Sequence, residues 1–131
     1  MILNIKRSFA IFPFIFLRKS GTSVIEAAHE NVHRLRQGLW FIGGVTLTGI
    51  MTQSFLWSVL GGLGAEAIWF ILYFISKKFR WIEEKPAWRA QIKAELKEGV
   101  RTPVGILVYV LTTQYWGMVD KRQARKFLES L

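Results

Sequence analysis

The chain has no cysteine, so neither a disulfide framework nor a thiolate metal site is open to it. Histidine is almost as scarce, with one at position 29 and one at position 33. Proline occurs three times, and nine acidic residues face eighteen lysines and arginines, for a formal net charge of +9. That excess draws the protein to something anionic: phospholipid head groups, nucleic acid or the acidic face of a protein assembly. Charge of either sign is nearly absent from one long stretch, where Glu66 is the single charged residue between Gly38 and Ser76. The sequence shows no internal repeat and no low-complexity segment, and its 131 residues suit one domain rather than two.

Aromatic residues, by contrast, are plentiful: ten Phe, six Trp and three Tyr, ample for a core. The opening "MILNIKRSFAIFPFIFLRKSG" has the basic residues and apolar run of a secretion signal. Pro13 interrupts that run, however, and Arg18 and Lys19 stand where small cleavage-site residues belong. A short β-ribbon over "FAIFPFIFL" is the expectation instead. Ser23 and Glu26 have the spacing of a capping box that opens a helix. Ile25, Ala28, Val32, Leu35 and Leu39 then recur at helical intervals and predict a buried stripe, with His29 and His33 on a neighbouring one.

The apolar segment 39–76 reads as a hairpin of two helices, broken at Gly61-Gly62-Leu63-Gly64. Its first arm, 39–60, is long enough for a bilayer core at about 20 residues per crossing, whereas 65–75 is too short alone. Arg34 and Arg36 precede the segment, and Lys77, Lys78 and Arg80 follow it, so both ends can face one anionic surface. Burial against other protein is the competing expectation. A further helix is predicted from Arg80 towards Gly99, with Ala87, Ile92 and Leu96 apolar. "PVGILVYVLTTQYWG" is undecided between strand and helix. Asp120 and Gln123 have capping-box spacing before a short amphipathic helix carrying Ala124, Phe127, Leu128 and Leu131.

The chemistry concentrates in "EAAHENVHRLRQ", residues 26–37. Histidines at i and i+4 share one helical face and can grip a single Zn²⁺ through two imidazoles. A glutamate directly after the first histidine, Glu30, has the placement of a general base toward a water whose pKa zinc lowers to about 7. Helical histidines that merely decorate a polar surface are the plain alternative. Because no third histidine exists, a third ligand has to be a carboxylate.

Together, "FPFIFLRKS" and "VIEAAHENVHRLRQ" resemble the small metallopeptidase-like proteins encoded by bacteriophages. These show an apolar strand, an Arg-containing turn and then His-Glu-x-x-His followed by Arg-Gln. "LYFISKKFRWIEEKPAWRAQI" is similar to the family's second block, an aromatic-rich segment leading to Glu-x-x-Ala, and "TTQYWGMVDKRQARKFL" to its closing pattern. Most of the chain is covered except residues 41–66. The resemblance implies a mainly α fold: a single metallopeptidase-like domain over 1–131, with a helical zincin-like core, a short N-terminal β-ribbon and the apolar hairpin 39–76 as an insert. It also implies a gluzincin-like site with His29, His33 and Glu84 as zinc ligands and Glu30 as base. Pro86 departs from the family pattern, in which Glu is usual. A proline there is expected to disturb the helix around Glu84 and makes the adjacent Glu83 a competitor. Glu26 and Gln37 are candidates to orient the imidazoles, and Tyr109 or Tyr115 to steady an oxyanion.

The function expected is therefore zinc-dependent hydrolysis of a peptide or peptidoglycan amide, in a phage virion or infected bacterial cell, associated with a membrane or a protein assembly. The alternative is a non-enzymatic membrane or virion component, for lysis or genome delivery, in which the motif is incidental. Nucleic acid is the less favoured partner, because the basic residues scatter at element ends and no reader motif is present.

Overall fold

The computed structural model describes residues 9–11, 14–16, 23–114 and 117–131, with side chains from Val24 onward. The described chain is mainly helical: α1 (Ser23–Thr52), α2 (Phe55–Ile75), α3 (Lys77–Lys97), α4 (Val104–Tyr109) and α5 (Lys121–Glu129). Near the N-terminus, Phe9–Ile11 and Phe14–Phe16 run antiparallel, Phe9 opposite Phe16. Two strands of three residues fall short of what holds a ribbon together in water, so the expected N-terminal β-ribbon gains no support as an element of the fold.

α1 is one continuous rod of 30 residues. Its first half lies against α3, and its second half pairs antiparallel with α2. The expected hairpin of helices is present, but its turn is at Gln53 and Ser54, not at the glycine cluster. Gln53 takes the left-handed backbone conformation there, with φ of 51°, and its N–H reaches Gly49 O at 2.9 Å. Gly61 and Gly62 sit inside α2 where the two rods cross, as Gly44 does in α1, while Gly64 faces away from the crossing. A Cβ on Gly44 would lie 2.3 Å from Gly61 O, and one on Gly61 would lie 2.2 Å from Thr48 Oγ1. Their role is to let backbones approach, which offsets the poor helix propensity that made them read as a break.

The predicted buried stripe of α1 holds at its start and fails further along. Ile25 is buried and Ala28 and Val32 are partly so, but Leu35 and Leu39 are 57% and 69% exposed. Burial falls instead on His29, Glu30, His33 and Gln37. The period was read correctly and the face was not, because α3 presents a carboxylate and α2 presents aromatic rings to the histidine side.

Ser76 separates α2 from α3, and its hydroxyl accepts the Phe79 N–H at 3.2 Å. Arg80 turns back from α3 and donates to the Tyr73 and Phe74 carbonyls at 2.9 and 2.6 Å, closing the exposed end of α2. Pro86 lies inside α3 without ending it. An interior proline costs about 3 kcal/mol, and α3 is held on two sides, by α1 and by the C-terminal core. α3 ends as expected at Gly99: with φ of 71°, Gly99 lets Val100 N–H reach Glu95 O at 2.8 Å while its own N–H reaches Leu96 O at 3.3 Å.

Of the segment left undecided between strand and helix, 104–114 is helical. α4 passes into a π-helical stretch, Val110–Gln114, in which the Thr112 and Thr113 hydroxyls fold back onto the Val108 and Tyr109 carbonyls. α5 begins with the expected Asp120–Gln123 capping box. Leu107, Val108, Leu111, Met118, Val119, Ala124 and Phe127 then close on Trp88 of α3 to form the apolar core.

The crossing generates one prediction. Gly61→Val should destabilise the hairpin by about 1–3 kcal/mol through overpacking, whereas Gly43→Val, which meets nothing within 4 Å, should be neutral or slightly stabilising, because valine is the better helix former. Denaturant titration in mild detergent compares the two. Equal losses would show that the close approach is not what holds the rods together.

Candidate metal centre

His29 and His33 project one turn apart from α1 toward Glu84 of α3. Their Nε2 atoms lie 3.2 Å from each other, His29 Nε2 lies 3.3 Å from Glu84 Oε2, and His33 Nε2 lies 3.2 Å from Glu84 Oε1. These separations are longer than a strong charge-assisted N–H···O bond, about 2.7–2.9 Å. Each is close to the edge of a tetrahedron around one ion, about 3.3–3.4 Å for ligand atoms about 2.0–2.1 Å from zinc, with the two histidines facing different oxygens of Glu84. The set of two imidazoles and one carboxylate can hold a divalent metal ion.

The three side chains are buried, His29 and His33 at 6% exposure and Glu84 at 1%. Aromatic rings fix the imidazoles: Trp88 meets His29 edge-on at 5.2 Å, and Trp69 and Tyr73 meet His33 at 6.3 and 6.1 Å. The Tyr73 hydroxyl donates to Glu84 Oε1. Nothing in the sequence pointed to Tyr73, because it sits 40 residues beyond His33, in the apolar stretch where the motif resemblance is at its edge. Its ring lies beside His33 because α2 runs back antiparallel to α1 and ends level with the motif.

The competition between the two glutamates resolves by direction. Adjacent helical residues point about 100° apart, and Glu83 turns to Arg36, whose Nε and Nη2 donate to its two oxygens at 2.6 and 2.8 Å. Glu84 alone reaches the histidines, and Pro86 does not take it out of α3. Glu30 is buried beside the cluster, close enough to feel the charges of His29, His33 and Glu84. The Nδ1 atoms of both imidazoles are buried and have no hydrogen-bond partner among the described residues, so neither Glu26 nor Gln37 orients them. Tyr109 is exposed on α4, and Tyr115 lies outside the described residues.

The electrostatics follow from burial. Desolvation pushes the Glu30 carboxyl up from its ordinary 4.5, against the lowering pull of the two histidines. Desolvation alone would also raise Glu84, but the imidazoles against its oxygens reverse this and hold it well below the carboxylate range. For His33, burial opposes the charged form, and the Glu84 carboxylate overcomes it, so its pKa is raised above 6.5.

These shifts set opposite limits on the metal-free protein. The depressed Glu84 contributes stability fully above 4.5, and that contribution is lost as the pH falls through its folded value. The raised His33 contributes fully below 6.5, and its share is lost as the pH rises through its folded value. Metal-free protein is therefore expected to be most stable between about 4.5 and 6.5, and toward the lower end of that window, because the raised Glu30 carboxyl loses stability as the pH rises above 4.5. A metal displaces the His33 proton, so the rise in Tm on adding zinc should grow as pH increases from about 5 to 8. Thermal melts with and without zinc measure it; a rise that does not change with pH would remove His33 from the ligand set.

Comparison of the chain with protein-family models, with curated proteins and with solved structures finds no match in any of the three, so the case for a metal site stands on these side chains and on their geometry.

Proposed function

We propose that the protein is a zinc-dependent hydrolase of the metallopeptidase-like kind that its motifs resemble, cleaving an amide bond of a peptide or of peptidoglycan. The observation that carries this reading is the convergence of His29 Nε2 and His33 Nε2, 3.2 Å apart, on the two carboxylate oxygens of Glu84, with Glu30 buried next to them. Two neutral imidazoles and one carboxylate suit zinc in softness and number, and leave one coordination position for substrate chemistry. Bound zinc supplies Lewis acidity, polarising a carbonyl and making water acidic enough to react near neutral pH.

The chain's own residues do the rest. Glu30 accepts a proton from the attacking water and passes it to the departing amine. Its raised pKa serves both steps, since a carboxylate brought nearer to neutrality holds the proton long enough to return it. Tyr73 holds the Glu84 carboxylate by its Oε1, which fixes how that carboxylate faces the imidazoles. Trp69 and Trp88 keep the rings from rotating and keep bulk water from the ligand atoms.

One observation favours a second reading. All three ligand residues are buried, which is the mark of a closed, structural metal site. Glu30→Gln separates the two. In a hydrolase it leaves about one zinc per chain and lowers turnover by about 10²–10⁴-fold, whereas His33→Ala removes the zinc. Stoichiometric zinc in a wild-type protein inert toward a panel of peptides and peptidoglycan fragments would leave the structural site alone standing.

A further inference from the structure

The largest feature that the metal centre does not use is the outer surface of the hairpin. Leu39, Ile42, Leu47, Leu60, Leu63 and Ile71 all face outward, and at the tip Met51 and Phe55 are 75% and 86% exposed. α2 is apolar and long enough to cross a membrane, and only 17% of its most apolar window is buried, so it is not the sheltered core helix of a globular domain. An apolar surface this continuous has to be covered, and three observations say by what.

The first is charge. No charged residue occurs from Gly38 to Ala65, and Glu66 is turned inward and buried. The chain's net charge is +9 and Glu66 contributes −1 within 38–76, so the remainder carries +10. Arg36 and Arg80 of the expected basic flanks are engaged inside the protein, by Glu83 and by the end of α2. Arg34, Lys77 and Lys78 remain at the base of the hairpin, with Lys77 and Lys78 exposed. Positive charge therefore rings one end only, as it does where a protein meets anionic head groups.

The second is length. The 21 residues of α2 span about 31 Å at 1.5 Å per residue, close to a hydrocarbon thickness of about 30 Å. At the far end the turn, Gln53 and Ser54, is polar and uncharged. The third is the fate of the polar atoms within the arms. The Thr48, Thr52 and Ser58 hydroxyls donate to carbonyls one turn back on their own helices, at 2.6, 2.7 and 2.8 Å. The helices meet through glycine, as apolar rods do where no hydrophobic force drives them together.

We propose that the α1–α2 hairpin inserts into an anionic lipid bilayer from one face, with the Gln53–Ser54 turn at the far limit of the hydrocarbon and the base of the hairpin at the near head groups. His33 lies level with Tyr73 in the last turns of α2, so the metal centre sits at that near interface. Bonds within reach of the centre are then those of a chain lying on, or emerging from, the membrane surface. That last step rests on the metal reading; the insertion does not.

The absence of cysteine makes the test direct, since a single introduced thiol is the only one in the chain. Full-length Leu63→Cys and Lys78→Cys proteins, each labelled with an environment-sensitive fluorophore, are mixed with phosphatidylcholine vesicles holding about 30% phosphatidylglycerol as detergent is removed. Lipids brominated in mid-chain should quench the label at position 63 several-fold more than that at position 78, and head-group quenchers should do the reverse. Recovery with floated vesicles should fall several-fold on phosphatidylcholine alone. His29→Ala, which disrupts the metal centre, should leave the quenching pattern unchanged, so failure of insertion and failure of the metal reading are told apart. Equal quenching at the two positions overturns the proposal. So does a detergent-free, lipid-free oligomer in which the label at position 63 is shielded, because a second copy then covers the face. Equal recovery on neutral vesicles overturns the anionic requirement.

Discussion

One buried carboxylate holds the described structure in register. Glu84 comes from α3, meets the two imidazoles of α1 and takes the hydroxyl of Tyr73 from α2, so a single anion is the point at which three helices agree on their rotation. Leaving such a group unpaired in the interior costs several kcal/mol, and an apolar contact tolerates sliding that an anion does not. The surrounding rings of Trp69, Tyr73 and Trp88 are the low-dielectric wall that makes the pairing strong. The same Trp88 belongs to the core built by α4 and α5, so the polar cluster and the apolar core share one side chain.

Much of this was legible in residues whose local chemistry has a fixed geometry. The i, i+4 histidines of "HENVH" placed two imidazoles on one face of a helix. The Asp120–Gln123 box and Gly99 marked a start and a stop where the structure has them, because caps satisfy the backbone with few alternatives. What failed were inferences that needed to know the neighbour. The stripe of Leu35 and Leu39 was assigned inward on the assumption that water lies outside, and α3 and α2 instead favour the histidine face. The glycine cluster read as a break because propensity describes an isolated helix, not one in which Gly61 is pressed against α1.

Glu83 and Glu84 show the same limit at the scale of one residue. The sequence offers two adjacent carboxylates of equal chemistry, and only the rotation of α3 assigns one to Arg36 and the other to the histidines. Pro86 was weighed as a helix breaker, yet a helix gripped from both sides carries it. Tyr73 was not legible at all, since its partnership exists only because the hairpin turns at Gln53 and returns to the level of the motif.

α1 carries two kinds of work on one rigid body. At 30 residues it is about 45 Å long, with both imidazoles near one end and the glycine crossing near the other. It contains no proline and is helical from Ser23 to Thr52, so rotation is shared along the rod. A slip of one residue at the crossing would turn the helix by about 100° and swing both imidazoles away from Glu84. The tight fit of Gly44 against Gly61 is thus a remote gauge of the ligand geometry. A twist of the hairpin would therefore reach the imidazoles as a change of angle carried by the backbone of α1.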